Sequence, residues 1–205
     1  EDFSALTART VRTVILANKA LALTWLGVSD IYQGSETTRT SLVDPDNRRP
    51  VDYSVLTNIL ERLDSGAAPR NLDEDKLFLT SRLARLRASR PNTFVGPRSG
   101  YRTIPVTTSF AFAYTRLLDE VPDVVVIVRR LSRRLEQLGG WREESVVLPE
   151  GTWEDVLHGS TVEGGHQPLA EVVGDAPVVV LAKIPTKATT CNPSQPDQSS
   201  EGAAP

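Results

Sequence analysis

The sequence predicts an α/β first half, in which helices surround one buried strand, followed by an all-β second half folded as an antiparallel β-sandwich. Two observations support this prediction. The hydrophobic residues recur about every 3.6 residues before residue 91, and the pattern becomes strand-like from residue 100. In the second half, β-branched and aromatic segments alternate with turn residues at a spacing typical of about seven or eight strands. We therefore predict domains at residues 1–95 and 96–184.

The first elements are a predicted amphipathic helix at residues 2–19 and a predicted strand at residues 20–26. The helix has apolar residues at helical spacing, among them Phe3, Leu6 and Val14. The strand is an apolar run that ends at a glycine. A single buried strand of the parallel type needs neighbours on both sides, so we expect the first half to require partners from outside its own residues.

Two further helices follow the polar stretch at residues 27–53. Asp52 or Ser54 can cap the first of them, which extends to about residue 63. Asp73 or Asp75 can start the second, which ends before the proline at position 91. Its polar face carries several arginines, and we interpret them as a solvated face or an interface with another domain.

The second half contains eight predicted strands, of which the β-branched run at 124–128 is suited to the centre of a sheet. They cover residues 101–106, 109–114, 124–128, 145–148, 152–157, 161–163, 169–173 and 178–184. Residues 185–205 are rich in Pro, Ser, Thr, Gln and Ala, and we predict a disordered tail there because it has almost no large apolar side chains to bury.

The composition restricts the class of protein. The formal net charge is -3, so nothing favours nucleic acid or anionic membranes as partners. No apolar run approaches the roughly 20 residues that a transmembrane helix needs. The single cysteine, Cys191, cannot form an internal disulfide, which favours a reducing, cytoplasmic location. Methionine is absent even at position 1, and we expect these 205 residues to be a piece of a longer protein.

The polar stretch at residues 27–53, GVSDIYQGSETTRTSLVDPDNRRPVDY, is the candidate functional segment. It is dense in carboxylates, amides and guanidinium groups, which suit a ligand with many hydroxyls. Loops that follow a buried strand are common places for binding sites. The segment therefore predicts a sugar as the ligand.

Two motifs in this stretch resemble a known family. GVSDIYQGSE at 27–36 resembles the segment after the eighth barrel strand of the α-amylase superfamily, G-x-P-x-x-Y-x-G-x-E, with Ser29 in place of the proline. LVDPDNRRPVDY at 42–53 closely resembles the maltooligosyltrehalose synthase family within glycoside hydrolase family 13. KLFLTSRL at 76–83 and LPEGTWEDVL at 148–157 extend the resemblance, which covers about residues 1–184.

The resemblance implies the C-terminal part of an isomerase. Its fold would be the last strand and helices of a (β/α)8 barrel, followed by the β-sandwich. The family converts the reducing-end α-1,4 linkage of maltooligosaccharides into an α,α-1,1 linkage by a retaining mechanism without a cofactor. Its catalytic acids come from upstream barrel strands, so we expect no catalytic residue here and an inactive isolated chain. The expected partners are a maltooligosaccharide and the upstream barrel portion, as a separate chain.

The resemblance also implies that the polar stretch shapes the sugar-binding end of the barrel. Tyr32 would stack on a sugar, Asp46 and Asn47 would hydrogen-bond its hydroxyls, and Arg48 or Arg49 would donate as a fork to hydroxyls or orient a catalytic carboxylate. The alternative is that these charged residues only tie the loop together through ion pairs.

Other residue patterns predict no additional chemistry. Asp44 and Asp46 lie in one loop, and we do not assign them as a catalytic pair. His158 and His166 have no third ligand nearby in the sequence, so we expect no metal site. Two functional alternatives remain: a stand-alone carbohydrate-binding sandwich without catalysis, and a nucleic-acid or protein interaction module built on the arginine face, for which we expect no nucleic-acid binding.

Overall fold

The structure is a computed structural model that describes residues 3–41, 43, 45 and 48–185. The predicted tail at 185–205 lies outside the described residues except for Pro185. The candidate sugar-binding residues Asp46 and Asn47 also lie outside them, as does Asp44.

The first helix, α1, spans Phe3–Thr24 and includes most of the segment predicted as a strand. The strand prediction for residues 20–26 is therefore wrong. Ala20, Leu23 and Thr24 continue the buried stripe that begins at Thr13 and Leu16, so the helical period does not stop at residue 19. The sheet of the described chain is entirely antiparallel and offers no parallel neighbour, and the backbone groups of these residues bond within the helix instead.

Helix α1 carries a second apolar stripe that faces away from the core. Phe3, Leu6, Val11 and Val14, which the sequence suggests as the apolar side of the helix, are between 44% and 74% exposed. The residues that pack against the rest of the chain lie on another side of the helix, around Leu16. Helix α1 is therefore apolar on two sides, and the described chain covers only one of them.

The next helices agree with the predictions in their positions. Helix α2 (Tyr53–Asp64) is capped by Asp52, whose carboxylate accepts from the backbone N–H groups of Ser54 and Val55 at 3.1 and 3.2 Å. Helix α3 spans Leu72–Ser89 and is capped by Asn71 rather than by an aspartate. Short helix α4 follows at Pro91–Phe94.

The second half forms one six-stranded antiparallel sheet with the strand order β1-β2-β3-β6-β4-β5. Two short helices, α5 (Ser132–Gln137) and α6 (Leu169–Val172), lie between strands. The strands are β1 (Ser99–Ile104), β2 (Ala111–Leu118), β3 (Val121–Arg129), β4 (Ser145–Asp155), β5 (Thr161–Pro168) and β6 (Val178–Lys183).

The prediction of a two-sheet sandwich is wrong, because the single sheet curls into a half-barrel. The chain just after β1 returns to the start of β4, where the N–H of Thr107 donates to the Ser145 carbonyl at 3.1 Å and Val106 forms a bridge with Val146. The predicted strands at 145–148 and 152–157 are largely one strand, β4, with a bulge between Leu148 and Thr152. The predicted strand at 169–173 is mostly helix α6.

A hydrophobic core lies on each face of the sheet. The first core packs α1 and α3 on one face, and the second fills the inside of the curled sheet. Alternate residues of β3 contribute to the two cores, Val124, Val126 and Val128 to the first and Val125 and Ile127 to the second. The prediction of a central strand at 124–128 is therefore confirmed, since β3 is buried on both faces between β2 and β6. The domain boundary near residue 95 stays a prediction.

Polar side chains join α4 to the sheet. The Asp123 carboxylate of β3 accepts from the Thr93 hydroxyl at 2.5 Å and from the Arg90 guanidinium. The Arg116 guanidinium of β2 is fully buried and donates to the carbonyl oxygens of Thr93 and Phe94, each at 3.1 Å. These contacts fix the short helix against β2 and β3.

Candidate functional site

The structure describes three of the five predicted sugar-binding residues, and all three are exposed. Tyr32 is 51% exposed, and its carbonyl accepts from the Ser35 N–H at 2.8 Å, which closes a turn. Arg48 and Arg49 lie on the surface just before α2. An exposed stacking face and exposed guanidinium groups are accessible to a ligand, but their sugar-binding role stays a prediction.

Two side chains of α3 hold the middle of the polar stretch, at Thr37 and Thr38. The Lys76 ammonium donates to the Thr37 carbonyl at 2.8 Å, and the Asp73 carboxylate accepts from both the N–H and the hydroxyl of Thr38, the former at 2.7 Å. We call these four residues the loop anchor. Their bonds involve charged groups, which makes them stronger than bonds between neutral groups.

A buried lysine, Lys19, and a half-buried carboxylate, Glu36, lie next to the loop anchor. Lys19 projects from α1 and is only 9% exposed, and burial together with the positive charge of Lys76 lowers its pKa, while Glu36 and Asp30 oppose that effect. Burial likewise lowers the pKa of Lys76 against the opposing Asp73 and Glu36 carboxylates. The carboxylates of the loop therefore compensate two partly desolvated lysines on different helices.

Sequence reasoning missed this arrangement, although one signal was present. Lys19 lies between Leu16, Ala17 and Ala20 within the buried stripe of α1. A lysine at such a position needs a compensating partner, because an unpaired buried ammonium is costly. The position of Lys76 on α3 carries no comparable signal.

We expect Lys76→Met to loosen the polar stretch. The change removes the bond to Thr37 and one positive charge near Glu36, so the Thr38 N–H should exchange with solvent about 10-fold faster, as expected for the loss of one charge-assisted hydrogen bond. Hydrogen exchange measured by NMR checks this. Lys183→Met is the matched control, since Lys183 lies over Trp153 in the sheet. Equal exchange in both variants would contradict an anchoring role.

Two of the three tryptophans, Trp141 and Trp153, are buried, and the partly exposed Trp25 packs against aromatic rings of the sheet. The Trp25 ring lies 4.7 Å from Tyr114 in an edge contact and 5.1 Å from Tyr101, measured between ring centroids. Trp153 is fully buried and Trp141 is 5% exposed. Trp153 and Trp141 are therefore core residues.

The two histidines each have one hydrogen-bond partner within the sheet. His158 Nδ1 lies 2.8 Å from Asp155 Oδ2, and His166 Nε2 lies 2.9 Å from the Ser145 hydroxyl. Within the part of the chain that the structure describes, no group of three or more His, Cys, Asp or Glu residues has the arrangement of a metal site.

The arginines of α3 connect elements of the chain. Arg85 forms a bidentate ion pair with Asp64 of α2, with both distances 2.6 Å, and this hydrogen-bonded fork lowers the pKa of the Asp64 carboxyl. Arg87 donates to the Leu23 carbonyl of α1 at 2.8 Å. Arg82 lies over the Phe78 ring at 5.1 Å. At least Arg85 and Arg87 therefore hold helices together rather than forming a free basic face.

Comparison with known proteins gives relatives of one kind. Two proteins of Mycobacterium tuberculosis, from strains CDC 1551 / Oshkosh and ATCC 25618 / H37Rv, are each named a maltooligosyl trehalose synthase and are 39% identical over 174 residues, which cover 82% of this chain and 20% of theirs. No protein-family model matches the sequence. Among the described residues, no helix has the length and apolar character needed to cross a membrane.

Solved structures agree with these relatives. The maltooligosyltrehalose synthase of Arthrobacter ramosus is 33% identical and superposes with a TM-score of 0.72 over 82% of this chain and 22% of its own. A glycosyltrehalose synthase at 23% identity has a TM-score of 0.61 over 89% of this chain, which supports the fold alone. The chain is thus homologous to the maltooligosyltrehalose synthases over 82% of its residues, and it spans about a fifth of the length of the relatives it matches.

Proposed function

We propose that this chain acts as the C-terminal part of a maltooligosyltrehalose synthase, with its polar stretch at the sugar-binding end of a (β/α)8 barrel supplied mainly by an upstream portion. The observation that carries the proposal is the 39% identity over 174 residues to relatives of which those residues make up only 20%. At this identity the proteins share a fold, and the remaining four-fifths of such an enzyme would supply what this chain does not contain.

The second apolar stripe of α1 supports an upstream partner. Phe3, Leu6, Val11 and Val14 are exposed apolar residues of a helix that already packs against the rest of the chain through other residues. Apolar patches of this kind on a soluble domain usually mark an interface. The upstream portion would cover this stripe, and it would thereby place α1 and the polar stretch that follows it against the barrel.

The chemistry would come from the upstream portion. In a retaining mechanism, a carboxylate attacks the anomeric carbon at the reducing-end linkage while a carboxylic acid protonates the departing O4 of glucose. The released glucose then turns, and its anomeric hydroxyl attacks the same carbon, which frees the nucleophile and returns the proton to the acid. Water must be excluded throughout, because hydrolysis would otherwise compete.

The role of this chain in that reaction would be to bind and orient the sugar. The loop anchor fixes the segment that carries Tyr32, whose ring can stack on a pyranose face. Arg48 and Arg49 can donate to hydroxyls or hold a catalytic carboxylate, and Asp46 and Asn47 can bind further hydroxyls. The cytoplasmic location of the enzyme also stays a prediction.

A reconstitution experiment tests the proposal. Maltopentaose is incubated with this chain, with the complementary upstream polypeptide, and with both, and non-reducing products that end in trehalose are measured by chromatography. We expect product only from the pair, because the catalytic acids and the sugar-binding loop would lie on different polypeptides. If the pair stays folded and associated yet makes no such product, the synthase proposal is wrong.

Within the same assay, Arg49→Ala should slow product formation by about 10- to 100-fold, the loss expected for one charge-assisted bond to sugar or carboxylate. Arg133→Ala is the matched control, since Arg133 is exposed on α5. A rate equal to that of the control would assign Arg49 to loop structure alone. If this chain binds maltopentaose but adds nothing to the upstream polypeptide, it is a stand-alone carbohydrate-binding module.

A further inference from the structure

A cleft of about 660 Å³ lies between α1, α3, the connection from α2 to α3, and the loops that follow β4 and precede β6. From α3 it is lined by Asp75, Phe78, Leu79 and Arg82. Arg82 is nine positions after Asp73 of the loop anchor, which is about two and a half helical turns. The cleft and the polar stretch therefore lie on opposite sides of α3, and the cleft is not part of the candidate site described above.

One polar group in the cleft lacks a partner. The Arg82 Nε is buried and has no hydrogen-bond partner among the described residues, and the guanidinium carbon Cζ lies 5.1 Å from the centroid of the Phe78 ring. A buried donor without an acceptor is unfavourable. The terminal amino groups of this guanidinium are accessible and also donate to none of the described residues, so a ligand oxygen in the cleft would pair with them, and the cleft is suited to a ligand that accepts hydrogen bonds.

Other polar groups of the cleft are already oriented. Arg12 and Asp75 form a bidentate pair across α1 and α3, with distances of 2.7 and 3.0 Å. His158, also in the lining, is held by Asp155 through Nδ1, and its side chain is 63% exposed. Groups that are fixed before a ligand arrives lose little entropy on binding.

The charge of the cleft selects against ions. Its lining contains two arginines, Arg12 and Arg82, and two aspartates, Asp75 and Asp175, so the formal charges cancel. An anion would meet both carboxylates, and a cation would meet both guanidinium groups. A neutral ligand with several donors and acceptors can satisfy both kinds of group without desolvating a net charge.

The remaining walls are apolar and include Leu16, Leu79, Pro177 and Val178. A pyranose combines apolar C–H faces with a rim of hydroxyls, and the cleft volume lies in the range of about 300–1,000 Å³ that small-molecule sites occupy. We propose that this cleft is a second carbohydrate-binding site, which binds a short neutral oligosaccharide away from the reacting end. The choice of a sugar among neutral polyhydroxylated ligands rests on the proposed function.

The test uses the 205-residue chain alone, labelled with ¹⁵N, and follows its amide signals by NMR during titration with maltotriose. We expect saturable shifts at residues of the cleft such as Ala67, Ala68 and His158, with a dissociation constant in the millimolar range. Arg82→Gln should weaken this binding at least 5-fold, and Ala68→Trp should block it while leaving Arg82 in place. Arg102→Gln, on the far strand β1, is the control and should bind as the unchanged chain does.

Three results would overturn the proposal. Maltotriose could leave the cleft signals unshifted, both cleft variants could bind like the control, or inorganic phosphate could shift the same signals as strongly, which would indicate an anion site. An unchanged urea midpoint establishes that a variant is folded. If Arg82→Gln does not fold, the binding measured with Ala68→Trp decides whether the cleft is the site. The titration involves no turnover, so the two proposals fail separately. A failed reconstitution with intact maltotriose binding in the cleft would refute the proposed function alone. A successful reconstitution without maltotriose binding in the cleft would refute only the second site.

Discussion

Replacing Arg116 by alanine is expected to lower the free energy of unfolding by about 3–5 kcal/mol, a large fraction of the stability of a domain this size. The side chain is fully buried, and the change would leave a cavity against Phe94 and remove the donors to the carbonyl oxygens of Thr93 and Phe94. Urea unfolding followed by circular dichroism measures the loss.

Arg116→Met separates the causes of that loss. Burial lowers the pKa of Arg116, and among the described residues no carboxylate forms an ion pair with it, so its charge is itself expensive to bury. Methionine fills much of the space without a charge, and we expect it to cost only about 1–2 kcal/mol. Arg102→Ala on the exposed side of β1 should change stability by less than about 0.5 kcal/mol. A loss for Arg116→Ala as small as that of the control would contradict this account.

Replacing Trp153 by alanine is expected to cost about 3–5 kcal/mol and to disturb the second core. Trp153 is fully buried in β4 and pairs with both Val162 of β5 and Lys183 of β6. Its indole N–H donates to the Pro149 carbonyl at 2.8 Å, across the bulge of the same strand. Deleting the ring would therefore remove core volume and one bond that shapes the bulge.

Trp153→Phe keeps most of the apolar volume and loses only the indole donor, so we expect a smaller cost of about 1–2 kcal/mol. Chemical unfolding gives both values, and the near-UV circular dichroism of the remaining tryptophans reports whether the core stays ordered. Val147→Ala, at a half-exposed position of the same strand, is the control. If Trp153→Ala and Val147→Ala were equally stable, the ring would not be part of the packed core.

The sequence predicted elements well where local signals and tertiary packing agree. The Asp52 cap and the buried run at 124–128 are examples, since one depends on a local hydrogen bond and the other on continuous β-branched residues. It failed at residues 20–26, where an apolar run is compatible with either a strand or a buried helix. Only the neighbours in space distinguish the two, and in the described chain those neighbours are α3 and the sheet.

The turn signals also misled the prediction of where one strand ends, since β5 extends to Pro168 instead of stopping at residue 163. Gly164 and Gly165 suggest a turn, yet both lie within β5 opposite the bulge of β4. A Cβ at Gly164 would come within 2.4 Å of the Pro149 carbonyl oxygen, so glycine is needed there for close backbone approach. Sequence alone does not distinguish a glycine that turns the chain from one that lets two strands approach each other.

The sugar-binding role of the candidate site stays a prediction, and the contacts that support the segment were not predictable from the sequence. The motif from Gly27 to Tyr53 points to a sugar through residue types alone, and it could be found without any knowledge of the fold. Lys19 and Lys76, whose charges both interact with Glu36 of this segment, lie 57 positions apart on different helices. Their meeting depends on how α1 packs on α3, which hydrophobic periodicity does not specify.

The position of β6 within the sheet has a consequence for how the chain acquires its fold. A growing polypeptide completes β1 to β3 and then β4 and β5, but the strand that joins the two groups is the last to be made. Until residues 178–183 leave the ribosome, β3 and β4 each present an open edge, and such edges can pair with other chains. A polypeptide that stops before Val178 should therefore aggregate rather than simply lose one strand.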